Sequence, residues 1–219
     1  MAGKANLKNQ RVFKGSGDIY AVKYDGTLEF PELPTDPETK VVTITEDNEA
    51  AIFAGLKTIR AEDNRLGALK DGFKYSDQLE VLEDQDDLGY ITVQEVTKET
   101  AANEFKLFNA NGETIQKVHP TASTGEGTQG LKVTKMGGLT NKNDDEYYIM
   151  FVHQDTQNGD IVLLTRGKNL SGLDIIFAGS EVSPLQCKYN AQPLDDTGTL
   201  IYIFELPKKF DWATGTVKA

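Results

Sequence analysis

A chain of 219 residues, 38% apolar and 26% charged, is long enough to bury one sizeable core without disulfides or metal, and one β domain is expected rather than two. Its net charge of −11 is uneven, with 13 basic and 21 acidic groups in residues 1–110 against 10 and 13 in residues 111–219. That sign disfavours ordinary nucleic-acid binding, which needs Lys and Arg to neutralise phosphates, and the single cysteine excludes an internal disulfide framework.

The first 17 residues are polar and basic, through Lys4, Lys8, Arg11 and Lys14, and read as an extended arm. They contain no apolar stretch of the length a secretory signal needs, so synthesis in the cytoplasm is expected. DIYAVKY and TLEF flank Asp25-Gly26 and predict a hairpin. Pro31, Pro34 and Pro37 then stiffen a crossing connection, and VVTIT at 41–45 reads as a further strand. In residues 46–71, Glu49 to Leu56 make a mildly helical or irregular patch and the apolar groups lack a clean period, which predicts a long loop of the kind that carries function. Phe73, Tyr75, Leu79 and Val81 alternate with polar residues as one half-buried strand. Glu83, Asp84, Asp86 and Asp87 follow at a turn or loop tip, and GYITVQEV returns as a second strand.

Residues 97–118 fit either a short helix beginning at Thr97 or Thr100 or a hairpin turning at Asn111-Gly112. Residues 120–130 have linker chemistry, and LKVTKM is a strand. YYIMFV, IVLLT, LDIIFA, PLQCKYNA and TLIYIFEL form a closing run of strands, joined in part by the turns QNGD and DDTG. In PLQCKYNA, Cys187 shares a strand face with Leu185 and Tyr189, which makes it a core thiol. Trp212 lies in the tail, where it either closes a sheet edge or docks on a neighbour.

Catalytic patterns are weak. His119 and His153 stand alone without a supporting motif, and with one cysteine they lack zinc-ligand spacing. The acids of 83–87 and Asp144, Asp145 and Glu146 lack the calcium-loop pattern with its sixth-position glycine, and GKNLSG and KGSGD lack the phosphate-loop ending. No catalytic residue, metal ligand or cofactor site is assigned.

The passage LGALKDGFKYSDQLEVLEDQDDLGY, followed by FVHQDTQNGDIVLLTRGKNLSG, LDIIFAGS and NAQPLDDTGTLIYIFEL, resembles the tail tube (major tail) proteins of long-tailed bacteriophages, particularly of Gram-positive hosts. The resemblance covers about residues 66–206. It implies a mainly β fold, a sandwich or barrel of tail-tube type over residues 18–206 with one short flanking helix and an extended loop, between the arm and a tail at 207–219. It also implies hexameric rings that stack into the tube of the virion tail, with tape measure, tail terminator and distal tail proteins as partners and DNA passing through unbound. Within that picture Ile52, Phe53, Leu56, Ile59 and Leu66 are candidates for packing between rings. The basic groups of residues 1–17 are candidates for reaching a neighbouring subunit, and Glu83, Asp84, Asp86 and Asp87 are lumen or loop-tip candidates. The inner tube of a contractile injection system, a receptor- or carbohydrate-binding virion module and a hydrolase using acidic residues are the competing readings.

Overall fold

The computed structural model describes residues 17–85, 92–169, 172 and 184–218. In chain order, strand β1 is Gly17–Tyr24, helix α1 is Glu46–Ile59, and strands β2, β3 and β4 are Arg65–Gly67, Leu69–Gln85 and Thr92–Leu107. Helix α2 is Gly112–Val118, followed by β5 (Ser123–Glu126), β6 (Lys132–Lys135), β7 (Glu146–His153), β8 (Ile161–Asn169) and β9 (Leu185–Gln192). Strands β10 (Tyr202–Glu205), β11 (Phe210–Asp211) and β12 (Thr216–Val217) complete the described chain. The fold is mainly β, as expected.

The main sheet is antiparallel in the order β2-β1-β7-β8-β9-β4-β3, with β10 added on β8. Its first and last members, β2 and β3, are separated only by Ala68. Two strands joined by one residue lie within a few ångströms of each other, so the sheet must curl into a barrel. The corner is built at Gly67, whose φ is +145° and where a Cβ would come within 2.6 Å of the Asn109 carbonyl oxygen. Phe108 N–H donates to the Ala68 carbonyl at 2.7 Å and the Asn109 side chain accepts from Ala68 N–H at 2.8 Å, which hold the corner shut.

Strand alternation sends the central strands' side chains into two cores. Ile19, Ala21, Tyr147, Ile149, Phe105, Cys187 and Tyr189 point into the barrel, whereas Tyr20, Tyr148, Met150, Val152, Val162 and Leu164 point out beneath α1. Burial on both faces is why YYIMFV reads as an unbroken apolar run rather than an alternating one. Phe151, Phe73, Phe105 and Tyr189 stack in succession at 4.9, 6.2 and 5.9 Å between centroids. β8 forks, since Ile161–Leu164 pair with β10 and Arg166–Asn169 pair with β9. At the fork the buried Asn103 side-chain amide donates to the Thr165 hydroxyl.

Several expectations are corrected. The apolar groups of the expected 46–71 loop belong largely to α1, capped by Thr45, whose hydroxyl accepts from Asn48 N–H at 3.2 Å. Glu46, Asp47 and Glu49 in its first turn and Lys57 in its last complement the helix dipole. Ile52, Leu56 and Ile59 recur at helical spacing on its buried face. TLEF does not pair with β1, whose neighbours are β2 and β7, and Phe30 instead sets its ring edge-on against Tyr148. VVTIT contributes one isolated bridge, Thr35 to Val42. Residues 97–107 are strand, and TIQKV is helical because the Asn111 side chain caps α2 by accepting from Thr114 N–H at 2.8 Å. The 120–130 stretch holds β5, paired with β6. Trp212 docks on its own chain, donating from Nε1 to Asp160 at 2.7 Å with the Arg60 guanidinium 4.3 Å above its ring. The predicted strand LDIIFA lies outside the described residues.

Candidate interaction surface

The pairing of β4 with β9 ends at Ala102 opposite Asn190, yet β3 and β4 continue together from Asp77 and Ala101 to Gln85 and Thr92. Nine residues of β3 beyond the barrel correspond to about 30 Å of strand at the usual rise. Among the described residues no strand pairs with the other edge of β3, and none pairs with β4 in this outer part. The result is a two-stranded arm whose two backbone edges are open among the described residues.

The arm lacks a core of its own. Leu79, Val81, Leu82 and Val96 are each 54–55% exposed, although Leu79 and Val81 belong to the alternation expected to be half-buried. The alternation is real, but only Phe73 and Tyr75 find cover. Across the arm Leu79 faces Glu99 and Leu82 faces Glu95, and only Val81 meets an apolar partner, Val96. The register shifts between Glu80 and Val81, leaving Thr97 as an extra residue whose hydroxyl donates to the Glu80 carbonyl at 3.2 Å. Lys98 and Glu80 pair at 2.8 Å but both are more than half exposed, so the pair adds at most about 1 kcal/mol. Isolated two-stranded ribbons are marginal in water, and open apolar edges invite another chain. Among the described residues of 77–99 six are acidic and one is basic, so the arm is also strongly negative.

The residues assigned from sequence fall in three places. Leu56 and Ile59 are fully buried and Ile52 and Leu66 nearly so, all within this chain's own cores, which removes them as candidates for packing between rings. Phe53 is half-buried and its ring lies 4.8 Å from that of Phe210, so the C-terminal segment of the same chain covers it. Glu83 and Asp84 are exposed near the end of β3, consistent with a position towards the arm's tip. Asp86, Asp87, Lys4, Lys8, Arg11 and Lys14 lie outside the described residues.

The second acidic run is neutralised in place. Asp145 pairs with Lys23 at 2.8 Å and Glu146 with Arg166 at 2.7 Å. Asp144 accepts from Lys142 and Lys168, whose hydrogen bonds hold its carboxyl below the usual range. At the arm's root Glu104 sits between Lys188 at 3.1 Å and Lys74 at 3.4 Å, and the Lys188 hydrogen bond is the main cause of its lowered pKa. A general acid needs its pKa raised, so Asp144 and Glu104 are poorly suited to that task. His119 caps α2 and its Nδ1 lies 3.2 Å from the Thr121 hydroxyl.

Cys187 is fully buried, and burial pushes its thiol up to about 12. An inaccessible thiol is neither nucleophile nor sensor. Iodoacetamide should therefore leave the native protein unlabelled at pH 8 and alkylate Cys187 fully in strong denaturant; rapid native labelling, followed by mass spectrometry, would contradict this burial.

What could have revealed the arm in the sequence is the mismatch between its strands. LEVL presents apolar residues, whereas QEVTKE opposite supplies mostly polar ones. No protein-family model matches this chain, and a search of curated proteins finds no significant match.

Proposed function

We propose that this chain is a structural subunit that assembles with copies of itself into stacked rings, forming a tube of the phage tail-tube kind. The observation that carries the reading is the β3–β4 arm, which extends beyond its barrel with exposed apolar groups and, among the described residues, both backbone edges open. A lone monomer gains nothing from such an arm, whereas a ring or stack covers it on the next copy and turns an aggregation liability into an interface. The acid surplus supports a conduit role, because a negative lining keeps a DNA backbone from adhering while it passes. The resemblance of residues 66–206 to tail tube proteins supplies the particular assembly. Its other partners in this reading are the tape measure, terminator and distal tail proteins, and its place is the virion tail.

Negative-stain microscopy of the purified chain, concentrated stepwise at low and moderate salt, tests the proposal. Six-fold rings or tubes are expected. A monodisperse monomer by sedimentation velocity at every concentration, with no rings on the grid, overturns it.

A further inference from the structure

The arm's docking site on the next copy can be sought by asking which exposed apolar surface complements its charge. Three apolar groups stand out beyond the arm itself. Val41, Val42 and Ile44 are exposed, but Glu46, Asp47 and Glu49 follow them directly, so that patch shares the arm's sign. Ile203 and Val217 are isolated on separate short strands. The third group runs through β6 and the turn after it, where Leu131, Val133, Met136 and Leu139 are exposed, Leu139 at 90%. Residues 131–142 contain Lys132, Lys135 and Lys142 and no acid, and the acids that follow, Asp144, Asp145 and Glu146, are each paired, with Lys142 and Lys168, with Lys23 and with Arg166.

This ledge is held in place. Gly137 N–H donates to the Thr121 hydroxyl at 2.9 Å, Asn143 N–H donates to the Pro120 carbonyl at 2.9 Å, and the Asn141 side chain donates to the Gly137 carbonyl at 2.9 Å. Beneath it α2 is anchored to the barrel by Val118 in the core and by Tyr189, whose hydroxyl donates to the Lys117 carbonyl at 2.8 Å. Its lysines make only exposed ion pairs, Lys132 with Glu126 and Lys142 with Asp144, which yield readily to new partners.

Arm and ledge also lie towards opposite ends of β4. The arm runs outward from Ala101 to Thr92, whereas α2 and the β5–β6 ledge follow Leu107, which lies about 20 Å from the arm's root and about 50 Å from its outer end at the usual strand rise. A rigid strand keeps the two apart within one chain. Between copies the same separation suits a head-to-tail contact, which closes into rings or extends into stacks.

We infer that the acidic, apolar β3–β4 arm of one copy docks on the basic, apolar ledge at residues 131–142 of the next. This rests on the self-assembly reading and names the two surfaces that meet. Apolar groups would supply the adhesion, and the opposite charges would set partner and orientation.

Two variants test it. In the first, residues 79–99 are replaced by Asn-Gly, which joins the paired Gln78 and Thr100 through a two-residue turn and leaves the ledge intact. The second carries Lys132→Glu, Lys135→Glu and Leu139→Glu and leaves the arm intact. Each is first checked by circular dichroism for an unchanged barrel. Each alone should raise the concentration for half-assembly by roughly 10- to 100-fold. Mixed together they should form a bounded one-to-one complex, because each retains one half of a head-to-tail contact. That complex should weaken as salt rises.

Wild-type tubes accompanied by a ledge variant that assembles normally would overturn this inference and leave the tube reading standing. Small closed oligomers, lost in both variants and restored as a one-to-one complex in the mixture, would support the inference and count against the tube. A wild-type chain that is monomeric throughout overturns both.

Discussion

Replacing Leu79, Val81 and Val96 together by threonine should abolish self-association at micromolar concentration while moving the thermal midpoint of the isolated chain by no more than about 2 °C. All three side chains are more than half exposed, and two of their cross-strand relationships end on Glu99 or on each other rather than on the barrel. Threonine keeps the β-branched shape of the two valines and brings it to position 79, which suits a strand, so the arm itself persists. What is lost is apolar area awaiting cover. At about 25 cal/mol per Å², burying the exposed half of three such side chains is worth roughly 2–4 kcal/mol, between about 30-fold and several hundred-fold in association constant. In a ring every subunit gives and receives one such contact, so the losses compound. Sedimentation velocity measures the first quantity and calorimetry on dilute protein the second. Unchanged assembly would show that the arm is not the adhesive surface; a midpoint lowered by about 10 °C would show that it packs within its own chain.

The parts of this molecule that were legible in its sequence are those where local and tertiary preferences agree. YYIMFV, IVLLT and PLQCKYNA are continuous or alternating β-branched and aromatic runs, and they became β7, β8 and β9. Cys187 was placed in the core by the alternation of Leu185, Cys187 and Tyr189 alone. Other elements depend on partners far away in the chain. Helix α1 hides its period because Ala50, Ala51, Phe53 and Ala54 dilute the face carrying Ile52, Leu56 and Ile59, and its buried face is defined by Tyr148 and Met150 some 90 residues on. VVTIT has strand propensity but no neighbour to pair with, so it remains a loop with one bridge. LEVL looks half-buried by pattern, and only the end of β9 pairing at Ala102 reveals that it runs on beyond the barrel with Leu79, Val81 and Leu82 more than half exposed. The candidate surface was thus read correctly as strand, while the half-burial expected of Leu79 and Val81 is not found.

The strongest single effect on stability is expected at Leu56. Its side chain is completely buried between α1 and the outer face of the barrel, in a cluster with Tyr20, Tyr148, Met150 and Leu206. Leu56→Ala should cost about 3–4 kcal/mol, combining the lost transfer energy with the cavity left between two rigid layers. That corresponds to a drop of roughly 10 °C in the thermal midpoint for a chain of this size. Phe53→Ala, one turn earlier and only half-buried against Phe210, should cost less than half as much. Urea denaturation of dilute monomer gives both numbers, and an unchanged m-value would show that the denatured state is unaffected. The comparison separates two roles for the helix. If α1 is part of the barrel's own core, the Leu56 variant is destabilised as a monomer, and any assembly defect scales with the unfolded fraction. If instead its apolar face serves a neighbouring subunit, the monomer should lose under about 1 kcal/mol and only assembly should suffer. Full burial of Leu56 and Ile59 within one chain requires the first outcome, which leaves the arm and the ledge as the surfaces proposed for contact between copies.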